Sequence, residues 1–143
     1  TGVTTYPASC RPEIERRTIP GEGGGTFQGE LDEAAQSVRA VYPEFAAEVR
    51  MMGGQGPSDV APDAPIVQTL ARTLRDARLP ADIRGMPAWT DAALLNAAGI
   101  PAICFGPGDL TLAHAEEEYI AVREIEQATE VLRRTILSWC NRQ

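Results

Sequence analysis

The sequence predicts an α/β protein, and three observations predict it. From residue 63 onward, residue patterns alternate as helix, strand, helix, strand, helix, the order of crossover-connected α/β units. The run Ile100-Pro101-Ala102-Ile103-Cys104-Phe105 is apolar enough for a buried strand, and a Gly-Pro-Gly loop follows it. Residues 1–52 read as strand, strand, helix, strand, which is too little to bury a core alone and reads as half of a two-layer α+β module. Two blocks are therefore expected, 1–55 and 56–143.

Residues 1–19 read as extended, with partial alternation over 13–19 and with Pro7 and Pro12 confining the first part to an edge. Pro20-Gly21-Glu22-Gly23-Gly24-Gly25 ends that run in a turn. Thr26 is the expected cap of a helix over 27–41, whose stripe is Phe27, Leu31, Ala34, Ala35, Val38 and Val41. Pro43 closes it, and residues 45–52 alternate as a strand. Residues 53–62 are rich in Gly, Pro, Ser and Asp and read as a linker. Asp63 is the expected cap of a helix over 64–77 that carries Pro65 in its first turn and Ile66, Leu70, Thr73, Leu74 and Ala77 on its apolar face. A short strand over 82–85 follows. Thr90 or Asp91 caps a helix over 92–98, which Gly99 ends. The strand over 100–105 comes next. The last helix, 122–140, carries a broad stripe of Ile125, Ala128, Val131, Leu132, Thr135, Ile136 and Trp139.

Composition narrows the function. Hydrophobic residues at 43% and charged residues at 23% fit a globular domain, and the net charge of −7 argues against nucleic-acid binding. No apolar run of about 18 residues is present, so no membrane partner is expected. All 13 positive residues are arginine, which excludes Schiff-base chemistry and a P-loop lysine within the chain. The glycines at 23–25 and 53–56 lack the helix starts and acidic partners of a nucleotide loop. Cys10, Cys104 and Cys140 are odd in number and far apart, as expected of reduced thiols in a cytoplasmic protein. Cys104 reads as a small core residue.

His114 is the single histidine. It follows the carboxyl end of the expected strand, where open α/β sheets place their ligands. Gly106, Pro107 and Gly108 form a turn that lets backbone approach a ligand, and Glu116, Glu117 and Glu118 come after. A carboxylate beside an imidazole can orient it towards a metal. The plainer alternative is a loop histidine bonded to a carbonyl, with the three glutamates favouring the start of the last helix.

Three stretches resemble the carboxyl end of the M20 metallopeptidase family: Met86-Pro87-Ala88-Trp89-Thr90-Asp91-Ala92-Ala93-Leu94-Leu95, then Gly99-Ile100-Pro101-Ala102-Ile103-Cys104-Phe105-Gly106-Pro107-Gly108, then Ala113-His114 with Glu118-Tyr119-Ile120. Ile14-Glu15-Arg16-Arg17-Thr18-Ile19-Pro20-Gly21-Glu22 resembles that family's lid, or dimerisation, domain. The resemblance implies part of a zinc-hydrolase α/β sheet domain plus half of a ferredoxin-like α+β lid. It implies an amidohydrolase that cleaves the amide bond of N-acyl amino acids or small peptides, as acetylornithine deacetylases, desuccinylases and aminoacylases do. On this resemblance His114 matches a zinc ligand of a two-zinc centre, for which cobalt or manganese are alternatives. Glu118 matches an acidic residue four positions on, which supports the metal ligand from behind or starts a helix, and Asp91 an aspartate near the active-site rim whose role is structural. Gly106, Pro107 and Gly108 match the substrate-side loop. Arg17 matches a lid arginine linked to the substrate carboxylate or to packing of the lid. The parent is implied to be a homodimer through its lid.

The departures point to a fragment. The family's His-x-Asp motif, bridging aspartate, Glu-Glu pair with its general base, and lid histidine are missing, and the chain begins at Thr1 rather than at methionine. A carboxyl-terminal piece, inactive alone, is therefore expected. The competing expectation is a non-catalytic oligomerisation module with a structural histidine.

Overall fold

A computed structural model describes residues 4–141 of the chain. The ends of the first expected extended stretch and of the last block, residues 1–3 and 142–143, lie outside the described residues. The chain divides into two compact units, Thr1–Gly54 and Gln55–Gln143.

The described residues are helical, with no strand, and this overturns the α/β expectation. The elements are α1 (Gly24–Val41), α2 (Pro65–Asp76), α3 (Ala92–Ala97), a single 3₁₀ turn (Leu110–Leu112) and α4 (Val122–Cys140). Residues 13–19, 45–52, 82–85 and 100–105, the expected strands, are unpaired chain. The reason is physical. A helix satisfies its backbone within its own segment, whereas a strand needs a neighbour to receive its N–H and C=O groups. Apolar alternation reports which side chains bury; it does not supply the neighbour. Neither a zinc-hydrolase sheet nor a ferredoxin-like half-lid is formed by these residues.

In the first unit, α1 starts three residues earlier than Thr26 predicts. Gly23 is its N-cap, and Thr26 instead accepts a hydrogen bond from the Gly23 N–H through Oγ1 at 3.5 Å. The helix buries none of its residues; Phe27, Leu31 and Ala35 are half-buried, and Val38 and Val41 are exposed. Its expected stripe thus narrows to one residue per turn. Arg16 ties the preceding chain to it: the guanidinium lies 5.8 Å from the Phe27 ring centroid, pairs with Glu22 at 2.8 Å and also pairs with Glu30. Arg39 donates to the Ala47 carbonyl at 2.9 Å, which fastens the chain beyond the helix.

In the second unit, α2 packs against α4. Leu70, Leu74 and Val131 form the core, and Ala77, Leu79, Ala81, Ile103 and Phe105 pack around it. Pro65 opens α2 as expected, but the N-cap is Ala64 rather than Asp63. The buried hydroxyls of Thr69 and Thr73 donate to carbonyls one turn back, those of Pro65 and Thr69, at 2.7 and 3.1 Å. The hydroxyl of Thr135 is buried with no hydrogen-bond partner among the described residues, a cost of about 1–3 kcal/mol carried by α4. Of the expected α4 stripe, Ala128, Val131 and Thr135 are buried, whereas Ile125, Leu132, Ile136 and Trp139 are exposed.

Ile103 and Phe105 turn towards this core, while Cys104 between them is exposed and meets the Thr90 hydroxyl at 3.2 Å. That corrects its reading as a core residue. Asn96 of α3 holds the same stretch in place. Its amide oxygen accepts from the Ala102 N–H at 2.7 Å, and its amide nitrogen donates to the Ala102 carbonyl at 2.9 Å and to Ser58 at 2.7 Å. One side chain thus stands in for the strand that would otherwise pair with Ala102.

Both α2 and α3 end in Schellman motifs. Gly99, at φ 78°, closes α3: its N–H reaches the Asn96 carbonyl at 3.0 Å, and the Ile100 N–H reaches that of Leu95 at 2.9 Å. At the end of α2 the same left-handed position is held by Arg78, at φ 57°, with the Arg78 and Leu79 N–H groups bonded to the Arg75 and Leu74 carbonyls at 2.9 Å. An L side chain there costs about 1 kcal/mol that glycine avoids. Arg78→Gly is therefore expected to stabilise the second unit by about 0.5–1 kcal/mol, read as a higher urea midpoint at unchanged m-value. An unchanged or lower midpoint contradicts the strained cap.

Candidate functional site

The loop between residue 105 and α4 is built around three carboxylates that accept hydrogen bonds from backbone N–H groups. Glu124, in the first turn of α4, accepts from Gly108 at 3.1 Å. Asp109 accepts from the Thr111 N–H at 2.9 Å and from its hydroxyl at 2.8 Å, and so caps the 3₁₀ turn. These bonds, the backbone one foremost, hold the Asp109 carboxyl below its ordinary range. Glu118 accepts from the His114 N–H at 3.2 Å.

Gly108 has φ 91°, and a Cβ placed on it would lie 3.0 Å from Ile120 Cγ1. The position thus suits glycine on two counts, conformation and contact. Gly106 and Pro107 are exposed just before it.

His114 is exposed and adopts φ 65°. Ala113 before it has φ −61° and ψ 129°, and the Ala115 N–H bonds the Leu112 carbonyl at 3.0 Å. Residues 112–115 therefore form a type II turn with the histidine at its third position, where glycine or asparagine is usual. A side chain there costs of order 1–3 kcal/mol, and such strain collects at functional sites. The Glu118 carboxylate engages the histidine backbone, and among the described residues no side chain is bonded to the imidazole. Glu116, Glu117 and Glu118 do not start α4, which begins at Val122 with Glu124 as its first-turn acid.

The other expected positions are described each within its own unit. Asp91 is the N-cap of α3 and makes no side-chain cap bond. Arg17 belongs to the first unit, where its guanidinium lies 3.2 Å from the Glu15 carboxylate. An open hollow at the end of α2 is walled by Arg78, Leu79, Glu126, Glu130 and Arg134, and no residue of the 106–121 loop lines it.

Asp109 and Glu124 did not figure among the expected site residues. For Asp109 a local signal exists, since an aspartate after a Gly-Pro-Gly turn readily bonds the backbone N–H two residues on, as in an Asx turn. Glu124 carries no such signal, because its bond to Gly108 spans sixteen residues.

A zinc ion does not fit these residues by themselves. Among the described residues no group of three or more His, Cys, Asp or Glu side chains could hold a metal ion, whereas a catalytic zinc normally takes three protein ligands. Nor is any helix of the described residues long and apolar enough to cross a membrane.

Comparison with known proteins places these residues. The model of peptidase family M20/M25/M40 matches residues 5–138. Acetylornithine deacetylase of Myxococcus xanthus is 28% identical over 134 residues, covering 94% of this chain and 34% of that protein. N-acetyl-L-citrulline deacetylase of Xanthomonas campestris is 30% identical over 117 residues, covering 78% of this chain and 28% of that protein. Succinyl-diaminopimelate desuccinylase of Corynebacterium glutamicum is 39% identical over 51 residues, covering 36% of this chain and 14% of that protein. The chain thus spans about a third or less of the length of these relatives. No solved structure matches it.

Proposed function

We propose, from the premise that this chain belongs to peptidase family M20/M25/M40, that it is one part of a metal-dependent amidohydrolase acting on N-acyl amino acids or small peptides. The family match over residues 5–138 carries this reading, and the relatives' names support the substrate class: an acetylornithine, an acetylcitrulline and a succinyl-diaminopimelate hydrolase.

Within such an enzyme His114 supplies one imidazole to a zinc centre, with the remaining ligands coming from outside these residues. Its left-handed backbone supports that role, because such conformations cluster at ligand and active sites. Gly106, Pro107 and Gly108 form the wall on the substrate side, where bare backbone approaches the ligand closely. Arg17 presents a planar guanidinium suited to the substrate carboxylate. The unit of residues 1–54 serves pairing between two copies.

The purified 143-residue chain supplied with zinc is expected to hydrolyse N-acetylornithine no faster than buffer does. Hydrolysis by the pure chain that disappears in His114→Ala would show that the chain assembles a working metal site unaided, contrary to this reading.

A further inference from the structure

We infer that Glu118 is a positioning residue for His114 that acts through the backbone: its bond to the His114 N–H selects the turn that aims the imidazole. Type I and type II turns over the same four residues differ by a flip of the central peptide. In the turn of residues 112–115 that peptide joins Ala113 to His114, and its N–H is the His114 N–H. The flip carries this N–H to the opposite side of the turn. An acceptor fixed on one side therefore stabilises one turn and not the other.

Glu118 is that acceptor, at 3.2 Å, four residues downstream and outside the turn it controls. The bond that closes the turn, from the Ala115 N–H to the Leu112 carbonyl, forms in either type and makes no selection. Sequence alone favours type I, since histidine at the third position prefers negative φ. The observed φ of 65° runs against that preference. Because φ differs by about 170° between the two types at this position, the imidazole leaves the chain in a different direction in each. Glu118 thus sets where the ring points without touching it, and both ring nitrogens are left to a ligand. This consequence for a metal rests on the proposed role of His114; the control of the turn does not.

The test reads the turn in the metal-free 143-residue chain by nuclear Overhauser effects. A type II turn brings the Ala113 Hα close to the His114 amide proton. A type I turn instead brings the two amide protons together. The unmodified chain and Glu118→Gln, whose amide oxygen still accepts, are expected to give the strong Hα–amide effect. Glu118→Ala is expected to lose it and to gain the amide–amide effect. Adding His114→Gly to Glu118→Ala is expected to restore the type II pattern, because glycine tolerates positive φ without help.

A type II pattern retained in Glu118→Ala overturns the inference, and so does a Glu118→Gln variant that behaves like Glu118→Ala. Should Glu118→Ala lose the dispersed amide signals of Leu70 and Val131, Glu118→Gln decides: a type II pattern supports the inference and a type I pattern overturns it. No metal enters this readout, so its failure is distinct from failure of His114 as a ligand.

Discussion

Val131→Asp is expected to abolish the cooperative unfolding transition of residues 55–143. Val131 is 1% exposed and stands at the centre of the α2–α4 contact, against Leu70 and Leu74. The three threonines buried nearby carry no positive charge, the hydroxyls of Thr69 and Thr73 are already donated to carbonyls, and of the two arginines that share a hollow with Val131, Arg78 and Arg134, the latter is already paired with Glu130. An unpaired charge in such a place costs about 4–5 kcal/mol or more. A unit of this size is held by only about 5–10 kcal/mol, and α2 with α4 is its principal packing. Val131→Ala removes methyl groups without adding charge and is expected to cost about 1–3 kcal/mol. Thermal melts followed by far-ultraviolet circular dichroism check both. A Val131→Asp variant that melts like the unmodified chain would contradict the account of the core.

The helices were legible because their signals are local. The expected range 122–140 coincides with α4, and Pro65 and Gly99 mark the start of α2 and the end of α3 as read from sequence. Boundaries moved only where capping chemistry was misjudged, as at Thr26, which sits inside α1 and bonds back to Gly23. The strands were misread for a different reason. In the stretch 100–105 Ile103 and Phe105 do pack inward, but against a helix pair, while Ile100 and Cys104 are exposed, and Asn96 satisfies Ala102 where a neighbouring strand was expected. Pairing is a long-range property that alternation within one segment cannot carry.

The loop around His114 divides in the same way. Its glycines and its histidine are visible as residues, and the motifs that surround them are enough to indicate the family. The left-handed turn is not visible, because a histidine, though it enters the left-handed region more readily than most residues, still prefers negative φ. It depends on a carboxylate four residues beyond. Glu124 on Gly108 is equally remote in sequence.

Loss of bound metal on replacing His114 is the second large effect expected. A zinc ligand contributes directly to the coordination shell, and a site reduced to two protein ligands falls below the three that catalytic zinc normally takes. The change leaves the α2–α4 core untouched, since His114 is exposed and lies outside it. His114→Gly is the better variant for separating metal binding from the turn, because glycine keeps positive φ while removing the imidazole. In a two-metal centre the ions cooperate in holding the reacting oxygen, so hydrolysis is expected to fall together with the metal content.

The most direct measurement is the zinc content of the product of the complete reading frame that contains these residues, purified with and without His114→Gly and dialysed identically. The expected result is about two zinc ions per polypeptide in the unmodified protein, as in two-metal hydrolases, and at least one fewer in the variant, with the melting transition of the α2–α4 core unchanged. Equal zinc content in a folded His114→Gly protein would contradict the assignment of His114 as a metal ligand.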